Sequence, residues 1–167
     1  MNQKAKKISL YGMLLALSMV LSYIEAILPF SIGVPGVKLG LPNIVTVVGL
    51  YSIGTPATLL ISFARILLVA MSFGNAMTIA YSLAGFFLSF GGMLLLKSWQ
   101  LSRTAVSICG GVLHNLGQLL TAMLLLHSPQ LLLYFPVLLA AGIAAGAAIG
   151  LTAGALSTHL HRFLQRL

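Results

Sequence analysis

Three polar side chains fall within five residues of an otherwise apolar stretch: His114, Asn115 and Gln118. On a helix His114 and Gln118, four apart, share a face, and Asn115 and Gln118 are three apart. Together they supply both hydrogen-bond donors and acceptors. Inside a bilayer such groups line a cavity or join helices rather than face lipid. Arg65 and Glu25 also stand in apolar surroundings. A charge within the membrane is costly unless it is paired or hydrated, so each marks a functional position. Arg65 lies about nine residues into its stretch, near mid-depth at roughly 1.5 Å per residue. Two roles are open to it: an internal ion pair with Glu25, or a guanidinium that binds a ligand. Lys38 either completes a cationic pocket for an anionic or carbonyl-bearing ligand or is a solvated loop lysine. Asn43, Asn75, Tyr81 and Ser82 can add to the same polar interior, whereas His159 and His161 read as a polar end at the interface.

Catalytic chemistry has little to work with. Glu25 is the one carboxylate side chain in the sequence, so a nucleophile triad has no orienting acid to spare. A magnesium site for diphosphate chemistry needs several carboxylates. No glycine-rich loop ends in Gly-Lys-Ser or Gly-Lys-Thr, so the chain cannot power transport with ATP by itself. The single cysteine, Cys109, excludes an internal disulfide and any multi-cysteine metal site, and reads as a small core residue. No catalytic residue, metal or cofactor is therefore expected.

The elements that must position these residues follow from hydropathy. Of 167 residues, 59% are hydrophobic and 6% charged, and the mean hydropathy is +1.07. A soluble domain carries about a quarter charged residues. The net charge of +8 resembles that of a nucleic-acid binder, but nine Lys and Arg are too few for a phosphate-tracking face. Nucleic acid is excluded, and the cations read as flanks that hold membrane spans against anionic lipid. Lys4, Lys6 and Lys7 precede an apolar run of about 20 residues, which suits a membrane span and is too long for the core of a signal peptide.

Gly, Pro, Ser, Asn and basic residues divide the sequence into six candidate spans: about 8–28, 41–53, 56–71, 76–96, 105–126 and 131–157. The runs are continuous rather than alternating, which favours helices over a barrel. The expected fold is an all-α integral membrane protein, a six-transmembrane-helix bundle forming a single domain over 1–167. With the N-terminus inside, Lys4, Lys6, Lys7, Lys97, Arg103, Arg162 and Arg166 are cytoplasmic, seven of the nine basic residues. That bias places both termini in the cytoplasm. The longest connection, Ser31 to Gly40, is rich in Gly and Pro and reads as a lid or as a plain connector.

Small residues supply the packing. Gly142, Gly146, Gly150 and Gly154 recur every four residues along one face of the last span, which lets another helix approach closely. Contact within the subunit is the expected arrangement, with a partner protein as the alternative. Gly12 and Ala16 form a shorter pair in the first span.

The segments Pro35-Gly36-Val37-Lys38-Leu39-Gly40-Leu41-Pro42-Asn43, Arg65, Phe73-Gly74-Asn75, Tyr81-Ser82-Leu83-Ala84-Gly85 and His114-Asn115-Leu116-Gly117-Gln118 together resemble the Gx transporter family. That family is often labelled heptaprenyl diphosphate synthase component I. The resemblance runs from about Lys7 to Gly154, with the Lys38 and His114 segments its specific parts. The family is similar in turn to the substrate-binding S components of energy-coupling factor transporters. The resemblance implies a six-helix protein that binds a small nutrient near the outer face, beneath the loop joining the first two helices. It implies a separate coupling subunit and a pair of ATPases, contacted through small residues four apart on the first helix. Gly12 and Ala16 stand where an alanine pair is usual. Prenyl diphosphate synthases carry two Asp-rich motifs, and this sequence has no Asp, so the synthase label can describe at most an accessory.

The expected function is thus a small-molecule-binding membrane subunit of a transporter in the bacterial inner or plasma membrane, dependent on partners for energy. Its substrate-binding residues would be Lys38, Asn43, Arg65, Asn75, Tyr81, His114, Asn115 and Gln118, around a polar or anionic head group. The alternative is a non-catalytic accessory or anchor in isoprenoid or quinone metabolism or in a membrane redox system. An ion-coupled carrier acting alone is disfavoured, because paired acids and an inverted repeat are missing.

Overall fold

The computed structural model describes residues 3–27 and 40–165, with side chains through Ser157. In chain order the described residues form α1 (Gln3–Ile27), α2 (Asn43–Ser52), α3 (Thr55–Phe73), α4 (Ala76–Ser98), α5 (Arg103–Leu125), a 3-10 turn (Pro129–Tyr134) and α6 (Phe135–Gln165). Five helices among the described residues are long and apolar enough to cross a membrane, and they make this a multi-pass membrane protein. Their outward faces carry exposed apolar residues such as Leu17, Leu60, Phe87 and Leu151, as suits helices set in lipid.

The second expected span is different. α2 has ten residues, about 15 Å of helix, against a hydrocarbon core of about 30 Å. Instead of facing lipid it is enclosed by protein. Val47, Val48 and Leu50 of α2 join Ile66 of α3, Phe86, Phe90 and Met93 of α4, Val106 of α5, and Ile149 and Ala153 of α6 in one buried cluster. A second cluster of Leu14, Val45 and Ile61 attaches α1 to α2 and α3. The last span also departs from a single helix. Its first residues, 131–134, belong to the 3-10 turn that starts at Pro129, and the α-helix begins at Phe135.

Local chemistry sets the helix ends. Asn75 caps α4 by accepting from the Thr78 N–H at 2.9 Å, and Ser102 caps α5 by accepting from the Ala105 N–H at 3.2 Å. The tight link from α2 to α3 turns at Gly54, whose φ of 90° suits glycine, and Pro56 lies in the first turn of α3. Thr46 and Ser62 hydroxyls join the two helices at 3.1 Å.

α5 and α6 pack backbone to backbone. A methyl on Gly146 would lie 2.6 Å from the Ile108 Cα, one on Gly150 2.7 Å from the Thr104 Cα, and one on Gly142 3.0 Å from the Val112 Cα. The glycine face therefore meets α5 of the same chain, the close approach that apolar solvent leaves as the main source of helix association. Gly154 and Gly12 face open space. α4 and α5 cross where Gly117 meets the backbone of Ala84 and Gly85.

Basic side chains gather at one end. The Lys97 ammonium donates to the Leu50 carbonyl at 2.6 Å, completing the C-terminus of α2. Lys97 and Arg103 also flank the Tyr51 ring, 5.1 Å and 5.2 Å from its centre. Arg103 donates to the Ser157 hydroxyl and to the Gly154 carbonyl of α6. This basic end is the end from which α3 departs, so Arg65, ten residues beyond Thr55, stands at about the depth where α2 begins.

Candidate functional site

Because α2 stops partway along the bundle, space is left beyond its N-terminus. That space is a cavity of about 160 Å³. Arg65 projects into it from α3, Asn43 from the start of α2, His114 and Gln118 from α5, and Thr78 and Ser82 from α4, while Ser22 and Glu25 close it from α1. Four of the eight expected binding residues thus meet in one place: Asn43, Arg65, His114 and Gln118.

Each is positioned by its element. His114 rests against Gly85, where an added methyl would lie 2.8 Å from the imidazole Nδ1, so glycine on α4 makes room for the ring. Gly40, with a φ of 73°, turns the chain into α2 and sets Asn43, whose N–H donates to the Gly40 carbonyl at 2.8 Å. The Gly40 N–H in turn donates to the Glu25 carboxylate, which ties the end of α1 to the entry of α2. Tyr23 of α1 and Phe73 of α3 pack edge to face at 5.6 Å beside it.

Arg65 has unused bonding capacity. Its Nη1 reaches the Ser22 hydroxyl at 3.4 Å, a long contact, and its Nε is buried with no partner among the described residues. A guanidinium offers five N–H donors. Glu25 lines the same cavity and its charge acts on Arg65, so the two roles read from the sequence, ion pairing and ligand binding, share one location. The N-terminal end of α2 points its partial positive charge the same way. The arrangement suits an anionic or carbonyl oxygen.

The other expected residues are placed differently. Asn115 is 5% exposed, and its amide donates to the Leu138 carbonyl at 2.9 Å, which fastens α5 to α6. Asn75 lines neither this cavity nor its neighbour; its side-chain oxygen is taken by the Thr78 N–H and hydroxyl. Tyr81 lines the neighbouring space of about 350 Å³, with Asn115, Gln118, Thr78 and mainly apolar residues of α5, the 3-10 turn and α6. Lys38, and the 31–39 part of the expected lid or connector, lie outside the described residues. Sequence reasoning missed Ser22 and Thr78 as lining residues, and it missed the apolar chamber altogether. Ser22 stands one turn before Glu25, and the Asn75 cap fixes Thr78, so both had a local signal.

Among the described residues no group of three or more His, Cys, Asp or Glu could hold a metal ion. The model of a family described as heptaprenyl diphosphate synthase component I matches residues 14–156. No curated protein and no solved structure matches the chain.

Proposed function

We propose, from the premise that the chain belongs to the heptaprenyl diphosphate synthase component I family, that it is a small-molecule-binding membrane subunit of a transporter energised by partner proteins. This is the family that the segments from Pro35 to Gln118 resemble. The Arg65 guanidinium carries the proposal. It stands inside a membrane protein, beside a cavity, with its Nε unpartnered among the described residues. A charge held there without a full set of partners is costly, and an anionic or carbonyl head group would offset that cost.

In this reading both termini and the basic end are cytoplasmic, in a bacterial inner or plasma membrane. The cavity then opens toward the outer side, where Gly40 leads into α2. Arg65, His114, Asn43 and Gln118 bind the ligand. Gly12 and Ala16 on α1 face a coupling subunit that brings ATPases, a role that suits the open space at Gly12. The chain is not itself an enzyme: one carboxylate in the whole sequence cannot assemble the magnesium sites of prenyl transfer.

The family description supports a second reading, a non-catalytic membrane accessory of a separate prenyl diphosphate synthase. Mild-detergent affinity purification from the native membrane, with mass spectrometry of co-purifying proteins, separates the two. Recovery of a coupling subunit and ATPases is the expected result. A prenyl synthase or redox enzymes without ATPases would overturn it in favour of the accessory.

A further inference from the structure

Thr78 and Gln118 line both the Arg65 cavity and the larger neighbouring chamber, so the two lie side by side across this pair. The chamber is lined mainly by Leu119, Ala122, Leu126, Leu131 and Leu138, with Tyr81, Tyr134 and Asn115 beside the shared pair. One compartment therefore holds a cation and its polar neighbours, and the other is largely greasy. Their sizes matter as well. At about 160 Å³ the Arg65 cavity is smaller than the roughly 300–1,000 Å³ typical of small-molecule sites, whereas the chamber, at about 350 Å³, falls within that range. A leucine-lined space holds water poorly, because water there lacks polar partners.

We infer that the ligand is a two-part amphiphile: an anionic head bound at Arg65, and an apolar body lodged in the chamber between α4, α5, the 3-10 turn and α6. Thr78 and Gln118 form the neck between the parts. The inference rests on the proposed reading of the Arg65 cavity as a ligand site and adds the chemical class of what it takes. Polar groups fix the orientation of such a ligand, and burial of its apolar body supplies most of the affinity.

The test uses the purified full chain in detergent and straight-chain carboxylates from acetate to dodecanoate, with the matching primary alcohols as uncharged controls. Binding is read by titration calorimetry. Affinity for the carboxylates should rise about fourfold per methylene until the chamber is full, then level off. Ala122→Phe, which fills the chamber, should move the break to shorter chains and leave the shortest carboxylates unaffected. Ala122→Val, a smaller intrusion, should move it less and serves if the larger variant does not fold. Arg65→Gln should weaken the whole carboxylate series about tenfold or more without moving the break, and bring it down to the alcohols. An unbroken rise indifferent to both Ala122 variants is partition into detergent and overturns the two-part ligand, while a surviving Arg65→Gln effect would leave the head site standing. An Arg65→Gln series identical to the parent, or no carboxylate binding at all, overturns the head site and this inference together.

Discussion

Glu25, the one carboxylate side chain in the sequence, accepts a hydrogen bond from the backbone N–H of Gly40, fifteen residues along the chain. The contact joins the end of α1 to the turn that starts α2, at the rim of the Arg65 cavity. The acid whose charge acts on Arg65 thus also holds backbone. Glu25→Ala should destabilise the folded chain by about 2 kcal/mol, the size of a hydrogen bond to a charged group. Glu25→Gln keeps an acceptor oxygen and should lose less than half as much. Thermal unfolding in detergent checks both; equal losses would mean that charge, not the acceptor, does the holding.

Gly40 adopts a φ of 73°, and a methyl added there would lie 3.1 Å from the Asn43 side-chain nitrogen. Gly40→Ala should therefore cost about 1–2 kcal/mol, the penalty of a left-handed conformation for an ordinary residue. The same melt reads it. A variant as stable as the parent would show that the turn relaxes freely.

Asn115 and Gln118 should separate cleanly despite their closeness in sequence. The Asn115 amide donates to the Leu138 carbonyl between α5 and α6, so Asn115→Ala should lower stability by about 1–3 kcal/mol. Gln118 lines both cavities, so Gln118→Ala should change ligand binding and leave the melting temperature close to the parent. Melting curves and calorimetric titrations of the two variants decide the matter; reversed effects would exchange the roles.

The α6 glycines should differ by position. Gly146 lies against the Ile108 backbone, so Gly146→Val has to push two helices apart and should cost about 1–3 kcal/mol. Gly154→Ala meets open space and should stay within about 0.5 kcal/mol. Size-exclusion profiles and melts of the two proteins test the contrast.

Lys97 reaches across to the Leu50 carbonyl at 2.6 Å, closing α2 at the basic end. Lys97→Met keeps the aliphatic stem and removes the donor, and should destabilise by about 2 kcal/mol. Faster hydrogen exchange of the amides in α2 would localise the effect; unchanged exchange would place it elsewhere.

Much of the fold is legible in the residue pattern, because lipid demands long apolar helices and their polar punctuation is easy to see. The enclosure of α2 is less so. Its run of Val, Leu and Gly looks like any lipid-facing segment, and hydropathy does not tell protein from lipid as the covering. The Arg65 cavity was partly legible, since Arg65, His114 and Gln118 are polar where polarity is expensive. Asn75 has a local duty that its type also signals: Asn-Ala-Met-Thr is a helix-start signature, and the side chain caps its own helix. The helix-joining role of Asn115 was open in the sequence, but its partner, 23 residues away, could not be named there. The apolar chamber left no mark, because Leu119, Ala122 and Leu138 are indistinguishable by type from residues that touch lipid.

The half length of α2 has an electrical consequence. Arg65 stands about midway along α3, so an anion that reaches it from the outer side in the proposed orientation crosses about half of the membrane potential. A full crossing amounts to about 2.3 kcal/mol per charge per 100 mV, so half is about 1.1 kcal/mol, or roughly sevenfold in affinity. An inside-negative potential opposes entry of the anion and favours its departure outward. The occupancy of the site would then follow the energised state of the cell, with no moving charge required of the protein itself.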